Sequence, residues 1–205
     1  MADQEDIVCP YPAELEKLSA LSEVRGTLLA SSMQSLRARG LFERYSDLLA
    51  PDQRDAVLNI VAGEWLPTAV ALAHYTACDA LQLSVDEQIA MGRDVSRRTH
   101  ETFLGLLVKM ARGVGVTPWI VLPKINLLYE RVFRGGGTQI TRMGPSDAKV
   151  EMVGLTLLSI PYFRNALLGM YEAGVSLFAS KVQVRSVSLG ALPPGKHFIL
   201  RLQWD

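Results

Sequence analysis

Phe133-Arg134-Gly135-Gly136-Gly137-Thr138 divides the chain into two kinds of sequence. Three consecutive glycines end any helix that reaches them, because each loses more backbone freedom in a helix than any other residue. Before this run the apolar residues recur at helical spacing. After it the period falls to two: Val150 and Met152 alternate with Lys149 and Glu151, as in a half-buried strand. The expected class is therefore α+β, a helical layer over about 13–134 followed by a small antiparallel sheet with one inserted helix over about 137–205.

Working upstream, Thr117-Pro118 opens a helical stretch interrupted at Pro123. Ser84 and Glu87 have capping-box spacing, and the helix they start carries His100, Phe103, Leu107 and Met110 along one stripe. An alanine-rich helix is expected over 65–82, and Pro51 opens another that Gly63 closes. A helical segment runs from Thr27 to Arg39, and a first helix is expected from Ala13. Residues 1–12 read as an extended arm, since Pro10 and Pro12 cannot donate backbone hydrogen bonds. Residues 13–205 read as one domain. Downstream, Pro161 opens the inserted helix, with Phe163, Leu167, Met170 and Gly174 on one face. Val182 and Val184 fall out of phase with Val187 and Leu189, which predicts a bulge near Ser186. The last strand is the cleanest: Phe198, Leu200, Leu202 and Trp204 alternate with Arg201 and Gln203.

Of the 205 residues 49% are hydrophobic and 20% charged, and the formal net charge is zero. That balance suits a globular core and gives no field for nucleic acid. The total conceals a gradient. Residues 1–24 hold six acids against Lys17, while residues 93–149 hold ten Lys or Arg against four acids. The two regions invite pairing, within one chain or across a dimer. With two cysteines, an acidic start and no apolar run of membrane length, neither a secreted disulfide scaffold nor a membrane span is expected. The expected address is cytoplasmic.

Three passages carry a family resemblance. Val24-Arg25-Gly26-Thr27, followed by an apolar helix, resembles the entry segment of heme-nitric-oxide-binding domains. Pro161-Tyr162-Phe163-Arg164-Asn165-Ala166-Leu167-Leu168-Gly169 resembles their C-terminal helix between two hairpins. The closing Arg201-Leu202-Gln203-Trp204 strand is similar to an uncharacterised myxobacterial family related to that group, whose wider fold includes vinyl-reductase-type and Bet3-type trafficking domains. The resemblance implies a sensory or ligand-binding domain. Heme-binding members use a proximal histidine and a Tyr-x-Ser-x-Arg signature for the propionates. Here the matching strand reads Lys149-Val150-Glu151-Met152-Val153, and residues 117–134 contain no histidine. No heme cofactor is expected.

Candidate ligand-binding residues are His74 and Cys78, which share a helical face, and His100 on its apolar stripe. A base beside a thiol could activate it, and Bet3-type relatives carry an acyl chain on a helical cysteine; a buried, inert thiol fits the alanine flanks equally. Three histidines and two cysteines, none at zinc spacing, point to no metal. The glycine run lacks the lysine of a P-loop, and no hydrolase or metalloprotease motif is present. No catalytic residue is expected. The function expected is a non-catalytic sensory or regulatory module for a small apolar ligand. The folded unit is expected to be a homodimer meeting through Trp119, Ile120 and Leu122; the alternative functions are a homodimeric adaptor without ligand, serving another protein partner, and a heme-based gas sensor.

Overall fold

The computed structural model describes residues 6–103, 117–187 and 197–205, without the side chains of residues 99–103. The helical layer contains α1 (Gly26–Ala38), α2 (Phe42–Leu48), α3 (Pro51–Leu58), α4 (Thr68–Ala80) and α5 (Val85–Phe103). α5 starts at the capping box. The Ser84 amide donates to Glu87 Oε2 at 2.8 Å, and the Glu87 amide donates back to Ser84 Oγ at 3.4 Å. The helix expected from Ala13 is only a 3-10 turn at Leu15–Lys17, and α3 ends at Leu58, short of Gly63. Pro118 and Pro123 each open a 3-10 turn before α6 (Ile125–Val132).

Past α6 the chain enters the sheet. Gly135 and Gly136 take φ of +90° and +66°, which side chains resist, so the glycine run makes the turn between helix and strand. β5 (Gly137–Gly144), β6 (Asp147–Val153) and β8 (His197–Gln203) form the centre of an antiparallel sheet. β7 (Gln183–Val187) lies at one edge and β1 (Asp6–Cys9) at the other, giving the order β1-β5-β6-β8-β7. Val150 sits between Ile140 and Leu200, and Met152 between Thr138 and Phe198. Ala148, Val150 and Met152 face the core, as the alternation requires. α7 (Pro161–Val175) is the inserted helix between β6 and β7.

Three features depart from the sequence reading. Residues 6–9 are extended but not loose: β1 pairs with β5, and Cys9 is buried. A second sheet of three short strands, β3 (Trp65–Pro67), β2 (Glu23–Arg25) and β4 (Phe133–Arg134), lies within the helical region. No bulge interrupts β7. Its register with β8 runs evenly from Gln183 to Val187, and the phase change resolves because Val187 is exposed. Leu189 and the Pro193-Pro194-Gly195 turn lie outside the described residues.

α5 and α7 cross at glycines. A Cβ on Gly92 would stand 1.9 Å from the Ala166 carbonyl oxygen, and one on Gly169 the same distance from that of Ile89. Backbones therefore touch, and polar bonds fasten the crossing: Ser96 Oγ donates to the Met170 carbonyl at 3.1 Å, and Arg93 pairs with Glu172 at 2.9 Å. Asp79 of α4 caps α7 from outside, its Oδ1 accepting the Tyr162 amide at 2.8 Å.

Candidate functional site

Three segments converge on one apolar pocket of about 180 Å³. α7 supplies Leu167, Met170, Tyr171, Gly174 and Val175; the turns leading into α6 supply Leu122; β6 adds Met152. The stripe that the sequence places on one face of α7, Leu167-Met170-Gly174, is thus a wall of the pocket. Its size decides what it can hold. An engineered cavity of roughly 150 Å³ lined by aliphatic side chains stays dry and binds benzene, so this one suits a molecule of one ring or a short chain.

Few polar atoms reach the lining, and two of them are already engaged. Ser96 Oγ bonds Met170, and Tyr129 Oη donates to the Gly135 carbonyl at 2.8 Å. Burial pushes both the Tyr129 and the Tyr171 phenols up, so both stay protonated. The Thr138 hydroxyl partly offsets the effect at Tyr171. Tyr171 and Thr138 escape sequence reading because a lone tyrosine and a strand threonine carry no local pattern.

The structure brings His74 and Cys78 together, though away from this pocket. Tyr45 Oη lies 2.6 Å from His74 Nδ1, Ser32 Oγ lies 3.0 Å from Nε2, and Cys78 Sγ stands 3.7 Å from the same nitrogen. Burial holds the Tyr45 phenol protonated, and the neutral ring, with one N–H and one bare nitrogen, donates to one of the two hydroxyls and accepts from the other. Desolvation lowers the His74 pKa to about 3 and pushes the Cys78 thiol up. A fully buried thiol kept protonated beside a neutral imidazole is not poised as a nucleophile. The cluster is a satisfied polar knot within the helical layer. From it a row of edge-to-face rings, His74 to Tyr75 (4.7 Å) to Phe163 (4.8 Å), leads to Phe133 (6.5 Å) in the pocket wall.

His100 is on α5, but its side chain lies outside the described residues. The three interface candidates separate. Leu122 is buried in the pocket lining. Trp119 packs edge-on against Trp204 at 5.0 Å and under Arg142 at 4.4 Å, and donates its indole N–H to the Pro145 carbonyl. Ile120 is 52% exposed. Among the described residues no group of acidic, histidine or cysteine side chains could hold a metal ion, and no helix is long and apolar enough to cross a membrane.

No protein-family model and no curated protein matches the chain. Solved structures do. An Fe(II) unliganded H-NOX protein mutant from K. algicida superposes with a TM-score of 0.60 at 9% identity, over 88% of this chain and 96% of that one. An H-NOX mutant from T. tengcongensis gives 0.53 at 13% identity, over 88% and 97%. An oxygen-binding H-NOX domain related to soluble guanylate cyclases gives 0.52 at 13%, over 88% and 95%. The fold is that of the H-NOX domains. The α+β order and the helix between β6 and β7 agree with what the resemblance implied; the second, three-stranded sheet is an addition to it.

A histidine-held heme does not fit the residues described. No histidine or cysteine is among the described residues that line the pocket. Both His74 nitrogens are engaged elsewhere, and His197 stands on the outer face of the sheet, 3.5 Å from Glu151. The core-facing residues of the strand that would carry the propionate signature are Val150 and Met152, which offer no charge.

Proposed function

We propose that this H-NOX-like chain is a non-catalytic sensory module that binds a small, largely apolar molecule in the pocket beside α7. One observation carries the reading: a preformed pocket of about 180 Å³ whose described lining is almost wholly apolar and lacks histidine and cysteine. The similar structures support the sensory part, one being an oxygen-binding domain related to guanylate cyclases. Two free, buried thiols agree with a cytoplasmic location.

Binding stabilises the folded state by mass action, by about 2.7 kcal/mol at a hundredfold excess over Kd. Benzene should therefore raise the melting temperature saturably, and Leu167→Trp, which fills the pocket, should abolish the rise. Purification with excess hemin should leave no stoichiometric Soret band. A flat benzene titration, or a Soret band lost in His100→Ala, overturns the proposal.

A second reading, a homodimeric adaptor, draws on Ile120 and Leu127, which are 52% and 61% exposed on neighbouring segments. The partner would be a second copy meeting the same patch across a two-fold axis.

A further inference from the structure

One polar group stands behind the pocket lining, unsettled, rather than in it. Thr138 on β5 is fully buried, and its Oγ1 makes no hydrogen bond of ordinary geometry. A buried hydroxyl left without a partner is costly, and native structures seldom keep one unless something supplies the bond. Thr138 stands directly across from Met152 on the core face of the sheet, and Met152 lines the pocket. Tyr171, another lining residue, has its hydroxyl within reach of Thr138, the contact between them falling short of ordinary hydrogen-bond geometry. The remaining hydroxyls of the lining, on Ser96 and Tyr129, are spent on backbone carbonyls.

We infer that the ligand carries a single hydrogen-bonding oxygen, a hydroxyl or carbonyl, which docks at Thr138 and Tyr171 while its apolar body fills the space along α7. This rests on the pocket being the ligand site. The protonated Tyr171 phenol donates to that oxygen, and Thr138 donates or accepts according to whether the oxygen is a carbonyl or a hydroxyl. Specificity follows from desolvation. A purely apolar pocket prefers benzene to phenol, because phenol gives up its water without return. Two waiting hydroxyls reverse that order.

Affinities for benzene and for phenol, measured on the full chain by calorimetry, test this. Wild type should bind phenol about tenfold more tightly than benzene. Thr138→Val, which replaces the unsatisfied hydroxyl by a methyl of the same shape, should fold with an equal or higher denaturation midpoint and lose that preference. Tyr171→Phe should lose it too, and both should keep their benzene affinity. Benzene binding without a phenol preference, or a preference that survives both substitutions, overturns the inference and leaves the pocket reading standing. Binding of neither compound to wild type overturns both.

Discussion

At the scale of single residues, His74 shows how burial converts a reactive-looking pair into an inert one. The shared face of His74 and Cys78 is legible in their spacing of four. Their chemistry is not, because it is set by Tyr45 and Ser32, on other helices and unconnected to them by any local pattern. The knot has a measurable pH signature. His74 titrates near 6.5 when unfolded and at about 3 when folded, so the unfolded chain takes up a proton in that interval which the native chain refuses. Stability should be full above pH 6.5 and fall by about 1.4 kcal/mol for each unit below it, levelling near pH 3. Urea unfolding at pH 7, 5.5 and 4.5 measures the slope. His74→Gln, which cannot titrate, should flatten it by that amount; an unchanged slope would place the histidine in water. Asp147, held below the usual carboxylate range by Arg201 and Gln203, loses its contribution from about pH 4 downward, overlapping only the bottom of this window beneath the lowest pH measured.

Among the elements, those with a long, strong pattern are read from sequence and the short ones are not. The capping box of α5, the α7 stripe and the alternation of β6 and β8 all survive into the structure. β2, β3 and β4 have two or three residues each, too few to show a period against the helical stretches beside them. The phase change near Ser186 suggests a bulge in sequence, but an exposed Val187 accommodates it with an even register. Gly92 and Gly169 look like ordinary helix weak points, yet their lack of a side chain is what lets α5 and α7 touch. Gly169→Ala should destabilise by about 3 kcal/mol, the upper end of ordinary overpacking, since the clash is with backbone. Gly63→Ala, which meets nothing within 4 Å, should stay within about 0.5 kcal/mol of wild type. Guanidinium denaturation of the two variants compares them; equal midpoints would dissolve the crossing.

For the whole molecule, the charge gradient finds its partner within the chain. Asp6 pairs with Arg142 at 3.5 Å and Glu23 with Arg134 at 2.7 Å, so acidic start and basic middle meet in one copy. These two pairs spend part of the complementarity within one copy, so the exposed Ile120 and Leu127 become the main reason to dimerise. If these seal a two-fold contact, sedimentation at micromolar concentration should show a mass twice 22.5 kDa that Ile120→Glu halves. A single species at 22.5 kDa removes the adaptor reading.

The placing of β1 has one more consequence, in the order of assembly. Ile7 pairs with Thr141, and Glu23 with Arg134, so both sheets remain open until most of the chain exists. A nascent chain emerging at roughly 5–20 residues per second would leave β1 unpaired, and β2 paired on the β3 side alone, for about 6–27 s. During that wait two unpaired strand edges face the cell, and closing them is a long-range step that cannot be hurried by local structure. Slow, late completion, with a window of exposure to holding chaperones, is built into this topology.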